Sequence, residues 1–211
     1  MRTFAGFPIA ALDFYEDLAA DNSKAFWTAH KHIYETSIRA PMEALVDDLA
    51  AEFGPAKLFR PYRDVRFSKD KSPYKTAQGA VVRTGAGVGF YVQIDAAGLF
   101  TGGGFYDGTP AQLARLRAAI DDDLRGPELA GMLSATGFTV GGATLKTRPK
   151  GFPADHPRIE LLRHTSLTLS REHGCPDWLT TDRAADEVRA DWRQLRPVIE
   201  RITAVVGPGR D

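Results

Sequence analysis

The sequence predicts an α+β fold, an antiparallel β-meander packed with N-terminal and C-terminal helices in a single domain. Apolar residues recur every three or four positions in the first quarter and again near the C-terminus, whereas between 61 and 105 the period falls to two. No internal repeat, low-complexity run or long linker divides the 211 residues. Residues 1–56 read as a helical part, 57–106 as the meander with a basic motif, and 107–211 as helices with additional short strands.

Pro8 is placed to open a first helix running to about Ala20, and Asp21 or Asn22 to cap a second. Trp27, His30, Tyr34 and Ile38 then share one helical face. Pro41 begins a third stretch, with Met42, Leu45, Leu49 and Phe53 on its stripe until Gly54 stops it. From Pro61 the alternation of Val65 and Phe67 with Tyr62, Asp64, Arg66 and Ser68 predicts a strand over 62–68. Further strands follow at 77–83, 88–95 and 98–105, the middle one alternating Phe90, Val92 and Ile94 with Tyr91, Gln93 and Asp95. Thr109-Pro110 supplies a cap and first-turn proline for a helix through Leu124. Short helices are expected at 127–135 and 156–163 and a strand at 166–170. The last helix carries Val188, Trp192, Leu195, Ile199, Ile202 and Val206, with Pro197 predicting a kink or break.

Composition narrows the function classes. With 43% apolar and 26% charged residues the chain has the makings of a folded, soluble protein rather than a disordered one. The lone Cys175 excludes an internal disulfide and a thiolate metal site, suits a reducing cytoplasm, and reads as inert. Asp13 and Glu16 interrupt the apolar N-terminal run, so neither a signal peptide nor a membrane span is expected. The five histidines show no metal-ligand spacing, and we expect neither a metal nor a cofactor.

Net charge is zero but unevenly spread. Between 57 and 83 lie eight Lys/Arg against Asp64 and Asp70, a local net of +6 that leaves −6 on the rest. Such an island suits a focused anion site better than a general nucleic-acid or membrane surface. On a strand, Asp64 and Arg66 would point the same way about 7 Å apart. Asp64 would then orient the Arg66 guanidinium toward a carboxylate or phosphate. Its arginine neighbours make it a poor general base. Lys69, Lys71 and Lys75 would form a movable rim, and Tyr74 would donate a hydrogen bond or stack. The expected ligand-binding set is thus Arg63, Asp64, Arg66, Lys69, Lys71, Tyr74 and Lys75, with Arg148 and Lys150 as a second arm. The alternative is a solvated surface of weak ion pairs. Gly102-Gly103-Gly104 reads as a strand end or bulge more readily than as a phosphate loop.

The stretch Arg60 and Tyr62-Arg63-Asp64-Val65-Arg66-Phe67-Ser68-Lys69-Asp70-Lys71-Ser72-Pro73-Tyr74-Lys75 resembles the signature of the family called domain of unknown function 2461. Supporting pieces are Phe4-Ala5-Gly6-Phe7, Asn22, Phe26-Trp27, Lys31, Tyr34-Glu35, Gly102-Gly103-Gly104, Pro149-Lys150-Gly151-Phe152 and His156-Pro157. The chain departs from the family pattern at Asn22-Ser23, where paired asparagines are usual, and at Phe26-Trp27, where Trp-Phe is usual. The resemblance implies a family fold and brings no reaction or catalytic residue with it.

Three functions compete. The first is a site for a phosphate- or carboxylate-bearing small molecule, with or without catalysis. The second is a nucleic-acid module using the same basic segment, with Tyr62, Phe67 and Tyr74 as stacking surfaces, and zero net charge counts against it. The third is a scaffold for an acidic partner.

Overall fold

The computed structural model describes residues 3–66 and 70–209. In chain order the elements are α1 (Ala10–Ala20), α2 (Lys24–Ile33), a π-helical segment (Tyr34–Arg39), α3 (Ala40–Phe53), β1 (Ala56–Leu58), β2 (Ala77–Gly85), β3 (Val88–Asp95) and β4 (Gly98–Phe105). There follow α4 (Pro110–Asp121), α5 (Arg125–Ala135), β5 (Thr139–Gly141), α6 (Ile159–Leu162), β6 (Leu167–Gly174), a 3₁₀ turn (Asp177–Thr180) and α7 (Arg183–Val206). The strands form an antiparallel sheet in the order β1-β2-β3-β4-β6-β5. This is an α+β fold containing the expected meander β2-β3-β4. β1 and β5, three residues each, are too short to display a period and were not expected.

The described chain divides into two compact units. The first is drawn from Met1–Val82, Tyr91–Thr101 and Glu172–Ala190, the second from Arg83–Phe90, Gly102–Arg171 and Asp191–Asp211.

In the first unit, Ala11, Phe14, Tyr15 and Leu18 bury one face of α1. Before it, Gly6 sits at φ +105°, and a Cβ there would lie 2.2 Å from the Thr180 carbonyl carbon. Only glycine permits that approach, which lets Phe7 N–H donate to the Leu179 carbonyl at 2.9 Å. The cap of α2 is Ser23, whose Oγ accepts from Phe26 N–H at 3.1 Å; Asp21 and Asn22, the expected caps, are not used so. From α2 the helix continues through the π-helical segment into α3. Pro41 has no N–H to give the carbonyl of residue 37, and its ring crowds that carbonyl. A wider turn just before it relieves the conflict, with Ala40 N–H donating to the Glu35 carbonyl five residues back.

The strand expected over 62–68 is not formed at 62–66, and residues 67–69 lie outside the described residues. Side chains have taken the backbone donors that a strand would have used. Asp64 Oδ1 accepts from Arg66 N–H at 3.3 Å, and Asp70 Oδ1 from Ser72 N–H at 2.9 Å. Among the described residues of this stretch, pairing survives only as a bridge between Tyr62 and Tyr74.

In the second unit, Thr109 and Gln112 form the reciprocal capping box of α4, and Arg158 closes its other end by donating to the Ile120 and Asp121 carbonyls. Trp192, Leu195, Ile199 and Ile202 are fully buried, with Trp192 stacked on Phe90 at 5.5 Å. Of the kink or break expected at Pro197, the break does not occur; α7 runs through it. The glycine run lies inside β4. A Cβ on Gly102 or Gly104 would meet the Leu169 or Leu167 carbonyl oxygen at 2.4 or 2.3 Å, so these glycines let β4 approach β6.

Candidate ligand-binding site

The charged middle of the basic segment closes on itself. Arg66 holds Asp64 in a two-point fork, Nε to Oδ1 at 2.9 Å and Nη2 to Oδ2 at 2.6 Å, with both side chains exposed. That fork keeps the Asp64 carboxyl below the usual carboxylate range. Arg63 pairs with Asp70, which also accepts from the Ser72 hydroxyl and N–H. Those Ser72 bonds are the larger cause of its lowered pKa. Lys71 Nζ donates to the Val65 carbonyl at 2.9 Å. Lys69 is outside the described residues. The expected common face of Asp64 and Arg66 is therefore an ion pair, and the expected rim of lysines is partly spent on the loop's own backbone.

The two ends of the segment are held differently. Arg63 N–H donates to the Pro73 carbonyl at 2.9 Å and Lys75 N–H to the Pro61 carbonyl at 2.7 Å, forming a neck. Asn22 clamps it: its Nδ2 donates to the Tyr74 carbonyl at 3.0 Å and its Oδ1 accepts from Tyr74 N–H at 3.1 Å. A side-chain amide has the donor and acceptor of a peptide group, so Asn22 acts here as a one-residue strand partner. Each such bond contributes about 0.5–1.5 kcal/mol. Tyr74 lies flat on Trp27, with centroids 4.3 Å apart and planes 7° from parallel. Phe14, Tyr34 and Tyr62 surround the same indole.

Beside this cluster is a cavity of about 390 Å³. One wall is helical, with Trp27, Lys31, Tyr34 and Glu35 from α2 and the π-helical segment; the other is 58–62, with Gln78 of β2 also lining it. All of it belongs to the first unit. Spacings of four and three put Trp27, Lys31 and Tyr34 on one face, and Glu35 joins it four residues after Lys31. Gln78, 1% exposed, donates from Nε2 to the Phe59 and Gly79 carbonyls and accepts the Tyr34 hydroxyl at 2.7 Å. The two carbonyls fix the orientation of the amide, and so make Tyr34 the donor. Burial first, and Glu35 next, push the Tyr34 phenol up to about 12. It is neutral at physiological pH.

The charged groups of the cavity are unequal. Arg39 donates to Glu35 at 3.3 Å and to Glu43 at 2.9 Å, so these three groups are paired among themselves and carry a net charge of −1 against the +2 of Lys31 and Arg60. Lys31 and Arg60 have neither an ion pair nor a side-chain hydrogen bond among the described residues. Trp27 Nε1 is buried and also without an acceptor. The cavity thus offers two uncommitted cations above an aromatic and amide floor, a favourable setting for a small anion with an apolar body.

Of the described residues expected to bind, none lines this cavity. Tyr74 is buried behind Trp27, and Lys75 lies with its Nζ 5.2 Å from the ring centre of Phe59, itself a lining residue. Arg148 and Lys150 belong to the second unit, where Arg148 donates to the Phe152 carbonyl of its own turn. Lys31, Arg60 and Gln78 carried a readable signal that charge density obscured. Lys31 shares the Trp27 face, Arg60 precedes the alternating stretch, and Gln78 is an isolated amide in an apolar strand. Among the described residues no group of three or more His, Cys, Asp or Glu is placed to hold a metal. No described helix is long and apolar enough to cross a membrane.

Fold and cavity together define an α+β protein with an aromatic, cation-rimmed recess between a π-bulged helix and the neck of a basic loop. The chain belongs to the family of conserved hypothetical proteins designated DUF2461, whose model matches residues 10–200. Comparison with curated proteins finds no match.

Proposed function

We propose that this protein binds a small molecule carrying a phosphate or carboxylate in the recess bounded by Trp27, Lys31, Tyr34, Arg60 and Tyr62, and does so in a reducing cytoplasm. The observation that carries the reading is that two cations with no carboxylate within ion-pairing distance among the described residues, Lys31 and Arg60, line an aromatic-walled cavity of about 390 Å³, within the range typical of small-ligand sites. An anion there gains charge-assisted hydrogen bonds that the protein does not itself satisfy. Tyr62, 48% exposed, gives the ligand's body a ring to lie against. The balance of Arg39 with Glu35 and Glu43 leaves the recess modestly positive, which fits a small anion better than a polyanion.

Calorimetric titration with phenyl phosphate and with benzoate tests the reading. We expect saturable binding of at least one probe, weakened roughly tenfold or more in the Lys31→Ala, Arg60→Ala double variant. Unchanged affinity in that variant would sink the proposal. Binding of random single-stranded oligonucleotides in preference to both probes, with a steep loss on adding salt, would favour a nucleic-acid module instead.

A further inference from the structure

The recess carries both signs of charge in an ordered way. Lys31, Glu35, Arg39 and Glu43 all line it and follow one another at intervals of four along a continuous run of helix, so that neighbours lie about 5–6 Å apart at Cβ. Glu35 stands N-terminal to Arg39, the favourable order for a helical ion pair, and that pair forms. Lys31 stands N-terminal to Glu35, the unfavourable order, and no ion pair joins them. Arg39 takes one oxygen of each carboxylate, Glu35 Oε2 and Glu43 Oε1. The other two, Glu35 Oε1 and Glu43 Oε2, accept from no donor among the described residues. An ionised carboxylate has about four acceptor sites, so most of this capacity is unspent. The Tyr34 hydroxyl has given its proton to Gln78 and has only lone pairs left.

One stretch of the wall is therefore rich in unfilled acceptors and carries a net −1, one helical turn from the unpaired Lys31. The aromatic lining acts in the same sense. Ring faces attract an ammonium group and not a carboxylate, and Trp27, Tyr34, Phe59 and Tyr62 all line the recess. Phe59 already attracts one ammonium in this way, with Lys75 Nζ 5.2 Å from its centre.

We propose that the ligand of the recess is a zwitterion, a flat-bodied molecule whose carboxylate or phosphate meets Lys31 and Arg60 and whose ammonium group is accepted by the free oxygen of Glu35, with Glu43 adding its charge. This rests on the anion-binding reading above and narrows its ligand class. A plain carboxylate answers the two uncommitted cations but leaves the −1 of the Arg39 group against its uncharged end. An ammonium at that end meets the charge and fills the acceptors.

Calorimetry with matched probes tests this. The pair 4-(aminomethyl)benzoate and 4-ethylbenzoate share a carboxylate, a ring and a side-chain length, and differ in an ammonium for a methyl. The pair 4-(aminomethyl)phenyl phosphate and 4-ethylphenyl phosphate make the same comparison with a phosphate. We expect the ammonium member of at least one pair to bind the full chain roughly tenfold tighter. Glu35→Gln, checked by urea denaturation, should level that pair by weakening the ammonium member alone, and Glu43→Gln should do so less completely. Equal affinities within both pairs, or an ammonium advantage that survives Glu35→Gln, would overturn the inference. If the ethyl probes bind as well as the ammonium ones and depend on Lys31 and Arg60, the zwitterion alone has failed; if none of the four probes binds saturably, the recess reading has failed with it.

Discussion

The middle of the segment from Arg60 to Lys75 is richer in charge than its ends, and the two are built on different principles. In the middle, Arg66 spends its fork on Asp64, Asp70 is shared by Ser72 and Arg63, and Lys71 caps a carbonyl. At the ends, Asn22 and Trp27 fasten Tyr74 to the helices, and Arg60 and Lys75 keep no carboxylate partner among the described residues. Charge density therefore does not mark the place where a ligand has most to gain. What marks it is charge left uncompensated next to a rigid, largely apolar support.

Substitutions that break this contrast should rank in a definite order. Trp27→Ala removes the ring on which Tyr74 lies and its contacts with Phe14, Tyr34 and Tyr62, and should cost about 3–5 kcal/mol in urea denaturation. Asn22→Ala leaves the Tyr74 N–H and carbonyl without their partner and should cost about 1–3 kcal/mol. Asn22→Asp should be worse than Ala, because it sets a carboxylate oxygen against the Tyr74 carbonyl. Tyr34→Phe takes the hydroxyl from Gln78 Oε1 and should cost about 1 kcal/mol. Asp64→Asn and Arg66→Gln, in the middle, should not move the denaturation midpoint measurably.

Acid should separate the same two regions more finely. Asp70 is held below its ordinary value of 3.8 in the folded protein, so its bonds stabilise the loop above that pH and are lost as pH falls through the depressed value. The Ser72 amide resonance should therefore titrate below about 3.8 while that of Tyr74, bonded to the non-titrating Asn22 amide, does not. Parallel movement of both signals would show that loop and neck are a single unit.

Much of the fold was legible because its periods are long. Phe90, Val92 and Ile94 alternate cleanly, and strands expected at 88–95 and 98–105 are found at those positions. The stretch 62–66 alternates as well, but alternation records only which side chains are polar. It does not record that Asp64 and Asp70 will take nearby N–H groups for themselves. Pro41 was legible as a boundary, though not as the cause of a π turn, since a helix can break or widen at proline. The basic island drew attention to this segment by its charge density, which is greatest in the middle, where the charges pair with one another. Arg60 and Lys75 flank the island's own aspartates, and their lack of compensation emerges only when the pairings are seen. Lys31 and Gln78 come from elsewhere in the chain, and only folding brings them to the same cavity.

The Asn22 clamp also has a meaning for chain length. Because the neck is tied at Pro61, Pro73 and Tyr74, the chain leaves and re-enters it at fixed points, and the length of the excursion between them is not set by those ties. Lengthening such a loop costs only the slow logarithm of closure entropy. The excursion is thus an interchangeable part on a fixed socket, and a foreign peptide spliced between Arg63 and Pro73 would be displayed beside the recess without asking the fold to change.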